Sequence, residues 1–295
     1  MKELIIELTN RCLNNCIHCS SKSCGAGGKI HDISLHEIEP VVSSAINSGF
    51  HQVVFSGGEP LLHPEFDLFV KYFHSRNIPM KVYTSGVTDS SFFNDKEKIH
   101  AMSCLNAITV SCYASDRDLH NSITRNSQSY DKLQEFISQF HNTVEYFEMN
   151  FVPMALNAHE MNVVYEKYKE ILSQFNVLKL VCQGNAKNNW GKLFASRECI
   201  DQELRILCGK QKTKIGNSFG ELSNATYRCE AGSKKMCISF DGYVIPCEVF
   251  KSSRKEFRHC SEYALDKKLF ACDAVSYSLH DYARGCQSGA ILHAN

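Results

Sequence analysis

The sequence lacks an excess of charge of either sign. Its 295 residues include 32 lysines and arginines and 32 aspartates and glutamates, so the formal net charge is zero. A balanced chain has no overall field that attracts nucleic acid or anionic lipid. We therefore expect neither nucleic acid nor a membrane among its partners.

Long hydrophobic runs are also lacking. No apolar stretch approaches the roughly 18 residues that a membrane-spanning helix needs. The N-terminal segment 1–9 has acidic residues within its apolar run and no cleavage site, so it predicts a first β-strand and not a signal peptide. Internal repeats and low-complexity tracts are absent from the sequence as well. We expect a cytoplasmic protein.

Cysteine, in contrast, is abundant, with 15 residues. In a cytosolic chain of this length, metal or redox chemistry explains such a number better than disulfides do. The positions support this interpretation, because one group lies near the N-terminus and another in the last quarter. The two groups are Cys12, Cys16, Cys19 and Cys24, then Cys229, Cys237, Cys247, Cys260, Cys272 and Cys286.

Short β-rich segments alternate with amphipathic segments over about the first 200 residues. The helical segments carry start and stop signals, such as a capping box at Ser34 and Glu37, with Gly49 after the last turn. A further helix is predicted from Asn157 to about Phe175. Six strands separated by helices imply parallel crossovers, and hence an α/β fold with an incomplete barrel or an open sheet. The predicted strands are Leu4–Leu8, Gln52–Phe55, Met80–Thr84, Ala107–Cys112, Tyr146–Val152 and Val177–Val181.

The alternation stops near residue 195, and a second region follows. We predict a first domain over residues 1–205, a polar linker over 206–228 and a small domain over 229–295. In the small domain, two apolar segments flank Asp241 and Gly242, a pair typical of a β-hairpin turn. Cys229 and Cys247 frame this hairpin, which brings them to the same end.

The pattern Cys12-x3-Cys16-x2-Cys19 directly follows the first predicted strand. Such a loop lies at the carboxyl edge of a parallel sheet, where ligands bind. A structural zinc would need four closed positions, whereas a [4Fe–4S] cube held by three cysteines leaves one iron open. The alternative is a zinc knuckle that uses Cys24 or His18 as its fourth ligand.

The segment 56–60, Ser-Gly-Gly-Glu-Pro, follows the second strand. Its two glycines allow close approach of the backbone to a ligand, and Glu59 offers a carboxylate to an ammonium group. The alternative is an ordinary tight turn between strand and helix.

The segment 7–19, Glu-Leu-Thr-Asn-Arg-Cys-Leu-Asn-Asn-Cys-Ile-His-Cys, resembles the signature of the radical S-adenosylmethionine (SAM) superfamily. The resemblance implies a partial (β/α)6 TIM-like barrel whose three cysteines hold a [4Fe–4S] cluster. The open iron of that cluster binds SAM, and reductive cleavage yields a 5′-deoxyadenosyl radical that abstracts a substrate hydrogen. It places His18, the residue before the third cysteine, near the adenine.

The same resemblance implies further SAM-binding residues. It assigns binding of the SAM amino group to the motif of Gly57, Gly58 and Glu59. It also places Thr84, in the Thr-Ser-Gly segment that ends the third strand, among the SAM-binding residues. Ser111 and Arg125 would contact the ribose or carboxylate. Asn157 and the segment 183–184, Gln-Gly, match weaker family positions and are alternatively ordinary polar residues at strand ends.

The segment 229–247 resembles the start of the twitch or SPASM extension, which carries auxiliary clusters. The resemblance implies one auxiliary [4Fe–4S] cluster on Cys229, Cys247 and Cys286, completed by Cys272 or Cys260. Three alternatives stay open: Cys237 as the fourth ligand, an incomplete ligand set with an open iron, and a zinc-ribbon-like site.

The resemblance implies an oxidoreductase-like enzyme that modifies a ribosomally made peptide by crosslinking, epimerisation or oxidation. Its electron donor would be a flavodoxin or ferredoxin. Because the cysteine loop begins at residue 12, we expect no N-terminal peptide-binding domain. A peptide would then bind at the barrel mouth or arrive on a separate carrier protein. The alternatives are a small-molecule dehydrogenase or rearrangement enzyme and a non-catalytic Fe–S redox protein. The sequence offers four candidates for a general base and does not choose among them: His63, His120, Asp118 and Glu148.

Overall fold

The computed structural model describes residues 2–23, 29–216, 219 and 231–263. Nine strands form a single sheet in these ranges, in the order β7-β6-β5-β4-β3-β2-β1-β8-β9. The strands are β1 (Glu3–Thr9), β2 (Gln52–Gly57), β3 (Met80–Thr84), β4 (Ala107–Ser111), β5 (Tyr146–Phe151), β6 (Gln174–Val177), β7 (Thr213–Ile215), β8 (Lys235–Ile238) and β9 (Val244–Ile245).

Helices connect the parallel strands, as the alternation predicts. They are α1 (Leu35–Asn47), α2 (Phe66–His74), α3 (Lys96–Ser103), α4 (Arg117–Thr124), α5 (Ser129–Phe140), α6 (Met161–Tyr168), α7 (Gly184–Asn188), α8 (Trp190–Leu193) and α9 (Arg197–Leu207). Short 3-10 turns span Pro60–Leu62, Phe92–Asn94, Ala158–Glu160, Glu248–Glu256 and Cys260–Glu262. In the described ranges, no helix is both long enough and apolar enough to cross a membrane.

The strands from β7 to β8 all run parallel, and β8–β9 is the antiparallel hairpin. The sheet is not closed, because β7 and β9 are its two edges in the described part of the chain. The prediction of an α/β fold with a partial barrel is therefore confirmed. The capping box of Ser34 and Glu37 at the start of α1 is confirmed as well.

The two faces of the sheet differ in what they bury. Leu4, Ile6 and Leu8 of β1 pack in the large apolar core together with residues of the helices, as do Phe55 and Val82 of neighbouring strands. The alternate residues lie on the inner face, because side chains of a strand alternate between its two sides. This inner face includes a small apolar cluster and a polar set, which are described below.

Three elements differ from the sequence-based expectation. Strand β6 begins at Gln174, where we predict helix, because Ser173 donates its N–H to the carbonyl of Phe147 at 2.7 Å and starts the pairing with β5. Strand β7 lies inside the segment 206–228 that we predict as a linker. Strand β8 pairs in parallel with β1, with Glu3 opposite Lys235, so the hairpin continues the barrel sheet.

Candidate active site

Cys12, Cys16 and Cys19 lie in one loop, which follows β1 at the edge of the sheet where the parallel strands end. Burial raises the pKa of the Cys16 thiol well above its ordinary value, and the nearby Cys19 and Cys12 raise it further. The positive charge of Arg125 lowers the pKa of the Cys16 thiol, so this charge also reaches the loop. The three predicted cluster ligands are thus within electrostatic reach of one another.

The donor set of three soft thiols in one loop suits an iron–sulfur cube. Within the described ranges, no three Cys, His, Asp or Glu side chains converge as a site for one metal ion. A zinc knuckle of these cysteines with His18 would require such convergence. A four-iron cube is larger, so its three soft thiolate ligands stand apart around it. Cys24, the other candidate for a fourth zinc ligand, lies outside the described residues.

The glycine pair after β2 is explained by its contact with the cysteine loop. A Cβ on Gly58 would lie 2.1 Å from the carbonyl oxygen of Arg11, and a Cβ on Gly57 would lie 2.4 Å from that of Thr9. In this close contact, Gly58 donates its N–H to Thr9 and Glu59 donates to Arg11, each at 2.7 Å. The motif therefore forms one wall of the loop and binds the residues that lead into it.

A second wall comes from the end of α4. Asn15 donates its N–H to the carbonyl of Thr124, and Ile17 donates to that of Ile123, both at 2.9 Å. These carbonyls are available because α4 ends there: Arg125 adopts a left-handed φ of +53°, which is unusual for a residue with a side chain. The exposed Arg125 is thereby placed beside the cysteine loop.

The third wall is the turn from β6 into α7. Gly184 has φ +54°, and a Cβ there would lie 2.5 Å from the carbonyl oxygen of Cys19. The N–H of Asn185 donates to that carbonyl at 2.8 Å, and its side-chain amide donates to Cys16 at 3.0 Å. Asn189 donates to a further loop carbonyl at 3.1 Å. The sequence reasoning missed both asparagines, although an asparagine-rich segment directly after a strand is a usable signal.

Glu59 is completely buried, and the protein already satisfies its carboxylate. It accepts hydrogen bonds from the hydroxyls of Thr84 and Ser85, both at 2.6 Å, and from the Ser85 N–H at 2.8 Å. Burial raises the pKa of this carboxyl, and the hydrogen bonds act against that rise. Glu59 thus ties β2 to the turn after β3. Its contact with SAM, like that of Thr84, stays a prediction.

An aromatic pair lies next to the cysteines. The rings of His18 and Tyr113 meet edge to face, with centroids 4.4 Å apart. Burial, with a smaller contribution from His120, lowers the pKa of His18 to about 4, so the imidazole is neutral at pH 7. The Tyr113 hydroxyl hydrogen-bonds to Ser111, and its carbonyl accepts from the buried Asn157 amide at 2.8 Å. The sequence analysis named His18, Ser111 and Asn157. It missed Tyr113, an aromatic residue two positions after the serine that ends β4.

The structure separates the four candidates for a general base. His63 is buried and bonded to the carbonyl of Ile33, and Asp118 is exposed on α4. His120 is buried with its ring nitrogens next to the Tyr113 N–H and the Ser129 hydroxyl. Glu148 differs from these three because it lies on the inner face of the sheet. There it accepts from Lys81 at 2.9 Å, from Thr109 at 3.2 Å and from Asn176 at 3.2 Å.

Three of the tail cysteines lie in the described residues. Cys247 follows β9, at one end of the hairpin, while Cys260 donates its N–H to Gly242 at the turn, which is the opposite end. Cys237 is fully buried, and burial raises the pKa of its thiol. The predicted ligands Cys229, Cys272 and Cys286 lie outside the described residues, and the auxiliary site stays a prediction.

A three-cysteine loop at the carboxyl edge of an unclosed parallel sheet defines the class of protein. The profile of the Radical SAM superfamily matches residues 6–156, which is 151 of 295 residues and just over half of the chain. The chain therefore belongs to the radical SAM superfamily, whose members bind a [4Fe–4S] cluster and SAM, and it is an enzyme of that superfamily.

The sequence relatives include GTP 3′,8-cyclases. The chain is 25% identical over 266 residues to the GTP 3′,8-cyclase of Desulforamulus reducens, which covers 83% of this chain and 80% of that protein. It is 29% identical over 137 residues to the probable GTP 3′,8-cyclase of Methanocella arvoryzae, which covers 46% of this chain and 42% of that protein.

The solved structures with a similar fold include proteins crystallised with peptides. Streptococcus suis SuiB bound to S-adenosylmethionine gives a TM-score of 0.75 at 14% identity, over 99% of this chain and 74% of that chain. SuiB has also been solved bound to its precursor peptide SuiA. Native anSMEcpe with bound AdoMet and the Cp18Cys peptide gives 0.68 at 17% identity, over 97% of this chain and 86% of that chain. At these identities the likeness shows the shared fold.

Proposed function

We propose that this enzyme holds its cluster with Cys12, Cys16 and Cys19, binds SAM beside it, and modifies a ribosomally made peptide by crosslinking, epimerisation or oxidation. When bound, the cluster and SAM supply a 5′-deoxyadenosyl radical that takes a hydrogen atom from the substrate. The observation that carries the proposal is the cysteine loop itself. The loop that carries these three thiols is held by hydrogen bonds to three separate elements.

The chain's own residues would orient SAM. Neutral His18 and its partner Tyr113 offer an apolar aromatic surface to the adenine ring. The exposed guanidinium of Arg125 suits the SAM carboxylate, and Ser111 suits a ribose hydroxyl. Asn157 would act indirectly, because both hydrogens of its amide already bond to backbone carbonyls, one of them that of Tyr113.

The charges on the inner face support a peptide over a nucleotide triphosphate. In the described part of this face, the half-buried Lys81 pairs with Glu148 at 2.9 Å, and the buried Lys251 pairs with Glu7. A triphosphate binds best to unpaired cations or to rows of backbone N–H groups. The peptide-bound structures of SuiB and anSMEcpe are in line with this choice.

A small-molecule reaction is the second candidate. The observation that favours it is the alignment with the GTP 3′,8-cyclase of Desulforamulus reducens, which covers 80% of that protein. Incubation of the reduced enzyme with SAM and GTP distinguishes the two candidates. Consumption of GTP coupled to 5′-deoxyadenosine formation would favour this candidate, and SAM cleavage that GTP does not change would favour the peptide.

Anaerobic reconstitution followed by reduction with dithionite tests the enzyme class. We expect SAM cleavage to 5′-deoxyadenosine and about eight irons per chain, with about four lost when Cys12, Cys16 and Cys19 are all changed to alanine. The control changes the exposed Cys199 and Cys208 to alanine and should keep the iron content and the cleavage. An intact cluster without SAM cleavage would leave an Fe–S redox protein as the function.

We further propose one auxiliary cluster, with Cys229, Cys247 and Cys286 among its ligands and Cys272 as the fourth. The placement of Cys260 at the far end of the hairpin and of Cys237 in an apolar cluster supports this choice. In the Cys247→Ser variant about four of the eight irons should be lost while SAM cleavage is kept. Unchanged iron content in this variant would exclude Cys247 as a ligand.

The remaining partners follow from this chemistry. Reduction of the cluster needs a one-electron donor, for which we propose a flavodoxin or ferredoxin, and a cytoplasmic location suits an iron–sulfur protein rich in thiols. The peptide would bind at the mouth of the sheet or arrive on a separate carrier protein. Reduction by purified flavodoxin in place of dithionite tests the donor.

A further inference from the structure

The 3-10 segment Glu248–Glu256 lies over the inner face of the sheet beneath the cysteine loop. Phe250 of this segment packs with Ile5, Val54 and Cys237 from three neighbouring strands. The segment also reaches the opposite side of the site, where the carbonyl of Val249 accepts a hydrogen bond from the Gln183 amide. The segment therefore spans the inner face from β1 to the turn that leads into α7.

Lys251 of this segment is the centre of a buried ionic group. Its ammonium contacts Oε1 of Glu7, lies 3.3 Å from Oε1 of Glu248, and donates to the hydroxyl of Ser21 at 2.9 Å. Burial works against its charge, but Glu7 and Glu248 together raise the pKa of Lys251 above its ordinary value. Ser21 is two residues beyond Cys19, so the group adjoins the cysteine loop.

The group is not balanced in charge or in hydrogen bonds. Among the described residues, the two carboxylates of Glu7 and Glu248 face one ammonium, which leaves one excess negative charge. The side chain of Glu7 is 1% exposed, and its second oxygen, Oε2, has no hydrogen-bond partner among the described residues. A buried carboxylate oxygen without a donor is costly, and it is therefore a strong acceptor for any donor that reaches it.

We infer that Glu7, supported by Glu248, binds a protonated amine of the substrate. The excess negative charge selects a cation over a neutral hydroxyl, and the orphan Oε2 supplies the acceptor for its N–H group. On the side of Glu248 the group meets solvent, because that side chain is 34% exposed. This inference rests on the proposed function, because it makes the space beneath the cysteine loop a substrate site.

Binding of a small probe to the reconstituted full chain tests the inference. The probes are n-butylammonium and the uncharged n-butanol, and isothermal titration calorimetry measures their binding. We expect the amine to bind about tenfold more tightly than the alcohol, and Glu7→Gln to abolish that preference. The control is Glu3→Gln on the same face of β1, where the carboxylate is 3.7 Å from Lys235 and partly exposed. This variant should bind the amine as the wild type does.

A second variant guards against loss of folding. Glu7→Gln leaves Lys251 with one carboxylate. The double variant Glu7→Gln with Lys251→Met removes the ion pair as a unit, which destabilises the fold less than removal of one partner. It too should lose the preference for the amine, with thermal melting as the check on folding. Comparison of N-acetyl-lysine amide with glucosamine then distinguishes a peptide amine from an amino sugar.

The outcomes separate this inference from the proposed function. Equal binding of amine and alcohol by the wild type, or an undiminished preference in Glu7→Gln, overturns the amine site, and water would then be the partner of Oε2. SAM cleavage, measured on the same preparations, tests the enzyme class separately. A wild type that cleaves SAM without preferring the amine retains its proposed function and loses the amine site.

Discussion

Alanine at Gly58 is the substitution whose effect follows most directly from the structure. The new Cβ would lie 2.1 Å from the carbonyl oxygen of Arg11 and 2.8 Å from its carbon, and both atoms belong to backbone that no rotamer change can move. Either β2 or the loop entrance must shift, and the two 2.7 Å hydrogen bonds to Thr9 and Arg11 weaken with it. Overpacking and weakened hydrogen bonds together predict a loss of about 2–4 kcal/mol in the free energy of unfolding.

The matched control is alanine at Gly191 in α8. No atom lies within 4 Å of a Cβ at that position, and the backbone there is helical, so the change should stabilise the chain by about 0.5–1 kcal/mol. Thermal melting of both apo variants measures the difference. We expect Gly58→Ala to melt at least about 4 °C below the wild type and Gly191→Ala slightly above it.

The assay that distinguishes the two roles of the glycine is iron content after reconstitution. If Gly58 shapes the cysteine loop, Gly58→Ala should lose most of the about four irons of the first cluster together with SAM binding. If the glycine only gives SAM room to approach, the variant would keep its iron and lose SAM alone. Normal iron content with normal SAM affinity would refute both the steric argument and the wall assigned to this motif.

Three further predictions test single contacts. Asn185→Ala removes the hydrogen bond from the side-chain amide to the carbonyl of Cys16 at 3.0 Å, so a chelator should remove the first cluster severalfold faster than from the wild type. An unchanged rate would show that this hydrogen bond does not hold the loop. Burial lowers the pKa of His120 to about 4, compared with about 6.5 in the unfolded chain. The free energy of unfolding is therefore about 3 kcal/mol larger above pH 6.5, and this contribution is lost as the pH falls to 4. Urea unfolding of apo His120→Gln should therefore show a flatter pH dependence than the wild type, and equal slopes would refute this. A double-mutant cycle of Lys81→Met and Glu148→Gln should give a coupling energy of about 1–3 kcal/mol, and additivity would show that the pair is dispensable.

Local patterns predicted the parts of the fold that local chemistry determines. The Ser34 hydroxyl accepts the Glu37 N–H in a capping box, and Gly242 at φ +85° makes the hairpin turn, both as the sequence indicates. The spacing of the cysteines likewise predicts one loop at the end of β1. These features depend on residues within a few positions of each other, and their backbone preferences hold in any fold.

Features that depend on distant partners were not predictable from the same patterns. The apolar segment 177–181 suggests a strand, but pairing with β5 sets β6 at Gln174–Val177 and leaves Leu178 39% exposed. Nothing near β8 indicates that it pairs with β1, some 230 residues earlier. The roles of Asn185 and Tyr113 are also set by the loop that they contact, so their own sequence surroundings carry little information about them.

The three walls explain why the cysteine loop can be shaped before any metal arrives. Backbone groups of a loop need partners, and here carbonyls of Thr124 and Ile123 and donors from Gly58 and Asn185 supply them from three separate elements. A loop ordered in this way loses little conformational entropy when its thiols take up a cluster. The burial and mutual proximity that raise the Cys16 pKa oppose the thiolate form until metal charge compensates it. The protein scaffold thus supplies the geometry, and the metal supplies the charge that the three thiolates require.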